Sequence, residues 1–100
     1  MAAMNINKNQ FEEMIRGEKP VLVDFWASWC GPCRMVIPVV EQIAEENSDI
    51  KVVKVNVDEE QELAAQFGVM TIPTLMVVKN GEITYRSVGV KNKKQILAMF

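Results

Sequence analysis

The stretch Val21-Leu22-Val23-Asp24-Phe25 is apolar except at Asp24, the pattern of a strand covered on both faces as in a parallel sheet. Lys51 to Val57 reads as another strand, and residues 3–6 as a short one near the start of the chain. Leu75 to Lys79 and Ile83 to Val88 are two more. They are joined by Asn80-Gly81, a pair suited to a tight hairpin because both residues tolerate positive φ. Between strands the apolar period lengthens to that of a helix. Asn7, with Gln10 three residues on, predicts a capped helix that buries Phe11, Met14 and Ile15 and stops at Gly17. A longer helix is expected from about Pro32 to Asn47, with Val36, Val39, Val40 and Ile43 inward and Arg34, Glu41, Glu45 and Glu46 facing water. Pro32 suits its first turn, where a missing N–H costs nothing, and Pro38 should kink it. Asp58-Glu59-Glu60-Gln61 predicts a capping-box-like start for a helix that buries Leu63 and Phe67 and ends at Gly68. The last helix is expected from about Asn92 to Phe100, with Ile96, Leu97 and Phe100 inward.

The predicted order is β-α-β-α-β-α-β-β-α. Strands separated by helices are expected to run parallel, and the tight turn forces one antiparallel pair. The expected architecture is α/β: a central mixed sheet of three parallel-type strands plus an antiparallel C-terminal hairpin, flanked by helices on both faces. One hundred residues form a single domain, 1–100, large enough for a core without bridges or metals. Half the chain is apolar (49%) and the charges nearly balance, which excludes disorder. A net charge of −2 argues against a nucleic-acid or anionic-membrane partner, and Lys91, Lys93 and Lys94 read as a solvated helix start. No apolar run approaches the ~18–20 residues of a membrane span. The N-terminus lacks a basic and an apolar leader region, so the chain is expected to be unprocessed and cytoplasmic.

The only cysteines are in Cys30-Gly31-Pro32-Cys33, between a buried-type strand and a helix. A cysteine at a helix N-terminus faces unpaired N–H groups and the positive end of the helix dipole, which favour thiolate. Residues one turn apart have Cβ atoms about 5–6 Å apart, close to what a disulfide needs. The pair is therefore expected to open and close with little backbone movement. A purely structural bridge is disfavoured, because so short a loop recovers little chain entropy. Zinc would need at least three protein ligands, and two Cys with no His cannot supply them within one chain. In a reducing compartment such a pair is expected to be catalytic or metal-binding rather than structural.

The segment Trp26-Ala27-Ser28-Trp29-Cys30-Gly31-Pro32-Cys33 resembles the active-site signature of the thioredoxin family. Asp24, Pro38, Lys54, Thr71-Ile72-Pro73-Thr74, Lys79-Asn80-Gly81 and Gly89 match that pattern in order, so the resemblance covers essentially the whole chain. Two departures are a final helix that is short for the family and Arg34 where many members carry Lys.

The resemblance implies a thioredoxin fold and a division of roles. Cys30 is the nucleophile, its thiol acidity raised (a direction already familiar from this family's motif), and Cys33 is the shielded, resolving thiol. Asp24 lies beneath Cys33, has its pKa raised by desolvation and takes the Cys33 proton, with Lys54 modulating that carboxylate. Pro73 follows a cis bond that faces the dithiol and leaves the backbone groups of Ile72 free for an extended substrate. That proline also helps keep metal from the dithiol. Trp29, Gly31 and Pro32 form the rim, and Met70, Ile72, Val88 and Gly89 an apolar patch for protein substrates. Trp26 packs rather than contacts, and the methionines are mostly core filler, Met70 excepted.

The expected activity is general protein disulfide reduction, with no bound cofactor and with regeneration by an NADPH-dependent flavoprotein reductase. A disulfide oxidase or isomerase, and a binding subunit that ignores its thiols, are the alternatives. Gly31-Pro32 and the absence of a leader favour reduction over oxidation. A monomer is the default.

Overall fold

The structure, a computed structural model, describes residues 3–100. Its elements follow the predicted order: β1 (Met4–Asn5), α1 (Lys8–Met14), β2 (Val21–Trp26), α2 (Gly31–Glu46), β3 (Lys51–Asn56), α3 (Gln61–Gln66), β4 (Thr74–Lys79), β5 (Glu82–Val88) and α4 (Lys93–Leu97). The strands make one sheet in the order β1-β3-β2-β4-β5. β1 and β2 both run parallel to β3, whereas β4 is antiparallel to β2 and to β5. The mixed sheet with an antiparallel hairpin is as expected. The broader rule that strands separated by a helix run parallel fails between β3 and β4.

Side-chain alternation along the strands sends residues to two cores. From β2, Val21, Val23 and Phe25 join Phe11, Val53, Val55, Leu63 and Met76 under α1 and α3. Leu22 faces the other way with Val52, Leu75 and Val77, under Val36, Val40 and Ile43 of α2 and Ile96 of α4. The helices thus cover both faces. Phe67 is only partly buried but packs edge-on against Phe11, ring centroids 5.2 Å apart. Met14 and Ile15 are likewise half-buried, less enclosed than their spacing suggests.

Local chemistry explains most boundaries. Asn7 and Asn92 each build the reciprocal capping box, with Gln10 and Gln95 respectively. The box at Asn92 was not foreseen, and the second predicted cap does not form: α3 begins after Glu60, which makes no side-chain cap bond. There Asn56 takes the turn instead, accepting the Asp58 N–H at 2.9 Å, an Asx-type closure that competes with a helix cap. α4 is a short helix ending at Leu97, well before the expected Phe100. The methionine expectation is corrected for two: Met76 and Met99 are buried and Met70 is exposed as expected, but Met4 and Met35 are exposed as well. Glu41 is corrected too. It lies on the flank of α2 against the sheet, its side chain 15% exposed, rather than in water.

Candidate functional site

α2 begins where β2 has just left the sheet, and Cys30 is its N-cap, with extended backbone (φ −89°, ψ 109°). The Cys33 N–H, one of the N–H groups without an intrahelical partner, donates to Cys30 Sγ at 3.2 Å. Pro32 in the first turn has no N–H to satisfy. The same contact that caps the helix would therefore stabilise negative charge on Cys30 in the reduced protein. In this structure the two sulfurs are joined as a disulfide, with Cα atoms 5.3 Å apart. The sequence prediction that Cys30 is the exposed partner holds only in rank: Cys30 is 4% exposed and Cys33 fully enclosed. Ala27, Trp26, Val57 and Ile72 pack around the pair.

Opposite the disulfide, the Ile72-Pro73 bond is cis, and Cys30 Sγ lies 3.9 Å from the Ile72 carbonyl oxygen. The Gly89 N–H donates to the Pro73 carbonyl at 2.9 Å, which ties the end of β5 and Val88 to the same loop. Gly89 has φ +99°, a conformation that favours glycine. The fold thus brings Cys30, Cys33, Ile72, Pro73, Val88 and Gly89 together. Around them Gly31 and Pro32 are exposed, Trp29 is 67% exposed and Met70 95%. Such open apolar side chains beside a dithiol suit a protein surface as substrate. A depression of about 260 Å³ between β5 and α4 is lined by Tyr85, Ser87, Lys91, Gln95 and neighbours, none of them site residues.

Two tryptophan contacts were not visible in sequence. The Trp29 indole N–H donates to Asp58 at 2.8 Å, so Asp58 serves the rim instead of a helix start. The Trp26 indole N–H donates to Asn5 at 3.0 Å, in keeping with a packing role.

In the sheet, alternation puts Asp24 on the face covered by α2, between Lys54 of β3 and Leu75 of β4 in register. Asp24 is fully buried, and among the described residues no group donates to either carboxylate oxygen. Burial pushes its pKa up to about 7, against the opposing pull of the Lys54 charge. Lys54 is itself buried, and its ammonium lies 3.2 Å from Glu41 of α2 rather than on Asp24. Glu41 is the residue that sequence reasoning missed. Among the described residues no helix is long and apolar enough to cross a membrane.

The family model described as Thioredoxin matches residues 2–100. The chain is 49% identical over 98 residues to a thioredoxin of Alicyclobacillus acidocaldarius, covering 97% of this chain and 93% of that protein. It is 54% identical over 80 residues to a thioredoxin of Bacillus subtilis, 79% of this chain and 77% of the other. A mutant thioredoxin from Halobacterium salinarum superposes with a TM-score of 0.91 at 36% identity, covering 97% of this chain and 86% of that one.

Proposed function

The chain belongs to the thioredoxin family, and from that premise we propose how its residues divide the work. The protein is a protein-disulfide oxidoreductase acting through its Cys30–Cys33 pair. In the proposed cycle the Cys30 thiolate attacks one sulfur of a substrate disulfide. A Cys30–substrate bond forms, the substrate S–S bond breaks, and the departing thiolate takes a proton. Asp24 removes the Cys33 proton, and the Cys33 thiolate attacks Cys30 Sγ. The intramolecular disulfide closes and the second substrate thiolate leaves, so two electrons pass to the substrate.

The observation that carries this reading is the Cys33 N–H held on Cys30 Sγ at the start of α2, a donor ready for negative charge there. A buried acid near neutrality on the sheet face under α2 supports Asp24 as proton acceptor, because such a group can both take a thiol proton and release it at working pH. Lys54, across the register, modulates it. Trp29, Gly31, Pro32, Met70, Ile72, Pro73, Val88 and Gly89 form the proposed docking rim. The nearly enclosed Cys30 supports selection for substrates that can present a disulfide as an extended segment alongside Ile72. Recycling by an NADPH-dependent flavoprotein reductase, in the cytoplasm, completes the reading.

The test is reduction of insulin disulfides coupled to NADPH oxidation through a thioredoxin reductase, run beside the Cys33→Ser variant. Multiple turnovers by the parent and a covalent substrate adduct on Cys30 of the variant are expected. No adduct would mean that the nucleophilic and resolving roles are wrong. A redox potential more oxidising than the glutathione pool would replace the reductase reading with that of an oxidase.

A further inference from the structure

Lys54 stands directly across the β2–β3 register from Asp24, on the same face, and is the nearest cation the sheet offers. Its ammonium nevertheless forms an ion pair with Glu41 of α2 at 3.2 Å, without hydrogen-bond geometry to that oxygen, and both Asp24 oxygens also receive no donor among the described residues. Two carboxylates therefore flank one buried ammonium, and the one nearer solvent is within ion-pair distance of it.

We propose that Glu41 is a positioning residue of the site: it draws the Lys54 ammonium toward the outer flank of α2 and so keeps that charge from neutralising Asp24. The groups around Asp24 define the electrostatics. β3 contributes Lys54, the covering helix α2 contributes Glu41 through its ion pair with Lys54, and β4 contributes Leu75, which carries no charge. With Asp24 ionised, the Asp24–Lys54–Glu41 group carries −1; with Asp24 protonated, it is neutral. A poorly solvated site favours the neutral arrangement, so the cluster binds a proton at Asp24 readily. Replacing Glu41 by a neutral side chain reverses the balance: ionised Asp24 then pairs with Lys54 at zero net charge, and protonated Asp24 leaves a lone buried ammonium. The working range of the acceptor is thus set from a helix flank, by a residue that touches neither thiol nor substrate.

This inference rests on Asp24 being the proton acceptor only for its consequence in turnover, and the test keeps the two apart. The full chain, oxidised so that no thiol titrates, is labelled with ¹³C at the aspartate carboxyls and titrated by NMR. Glu41→Gln is expected to lower the Asp24 midpoint by roughly one pH unit or more, and Glu41→Asp to recover at least half of that change. In the Lys54→Met background the Gln substitution should move the midpoint by less than half as much, because the charge through which Glu41 acts is gone. Glu41→Ser, which admits solvent to the ammonium, gives a smaller shift of the same sign and serves if the Gln variant does not fold. A midpoint within about 0.3 of the parent in both variants, or an equal shift with Lys54 removed, overturns the proposal. If the midpoint falls as expected while the pH profile of insulin reduction stays put, the Glu41 role stands and the acceptor role of Asp24 is refuted.

Discussion

Replacing Asp24 with Asn should stabilise the protein, and by an amount that depends on pH. An ordinary aspartate ionises near 3.8, whereas burial raises Asp24 to about 7. Between those two pH values the folded chain holds a proton that the unfolded chain has released. Stability therefore falls as pH rises through this window and levels off above it. The difference corresponds to about 4 kcal/mol of penalty at pH 8, at 1.36 kcal/mol for each tenfold change in proton affinity. Asn has the same shape and no charge, and it meets the same donor-poor surroundings as protonated Asp24. Most of the penalty should therefore disappear, a gain of about 3 kcal/mol at pH 8, shrinking to within about 1 kcal/mol at pH 4. For a chain of this size that is roughly 10–20 °C in Tm at pH 8. The assay is urea unfolding of the oxidised protein and its variant at pH 4, 6 and 8, with m unchanged between them. Exposed carboxylates such as Glu46 and Glu62, which their lysine partners lower, titrate in both proteins and cancel in the difference. Parallel stability curves, with the same gap at pH 4 and pH 8, would refute the reasoning. The variant should also reduce insulin more slowly near neutral pH.

Met70→Glu should leave stability within about 0.5 kcal/mol of the parent, since the side chain is 95% exposed, yet raise KM for protein disulfides; steady-state kinetics beside urea unfolding checks both. Gly89→Ala should cost about 1–3 kcal/mol, because φ +99° strains any L side chain, and should also weaken the Pro73 carbonyl contact; urea unfolding gives the first and substrate KM the second.

Element order, sheet composition and the site pair were legible because they depend on local pattern. The run at Val21–Phe25, the Asn80-Gly81 turn and the Asn7–Gln10 capping box each announce themselves within a few residues. The antiparallel direction of β4 was not legible, since a helix precedes it and only tertiary packing reverses the chain. Asp58 illustrates the same gap: four residues of acidic cap-like sequence look local, but its partner is Trp29, twenty-nine positions away. Met4 and Met35 misled because an apolar side chain was equated with core, although exposed apolar atoms are ordinary on protein surfaces.

Glu41 marks where periodicity alone stops being informative. It follows Val40 on α2, and counting at 3.6 residues per turn places it at the border between the apolar stripe and water. At such a border a charged residue is solvated unless something opposite attracts it, and what lies opposite is set by the sheet register. Lys54 occupies that place because Val52 and Lys54 share the face under α2, while Val53 and Val55 turn to the other core. A lysine on a strand face under a helix is costly unless a carboxylate reaches it, so the helix flank must supply one or the sheet must. Here both do. The second carboxylate, Asp24, is then left buried and without a donor on the sheet face under α2, which destabilises the fold and leaves a carboxyl whose pKa burial raises to about 7. Burying a third apolar residue at that spot would give a more stable domain without that group.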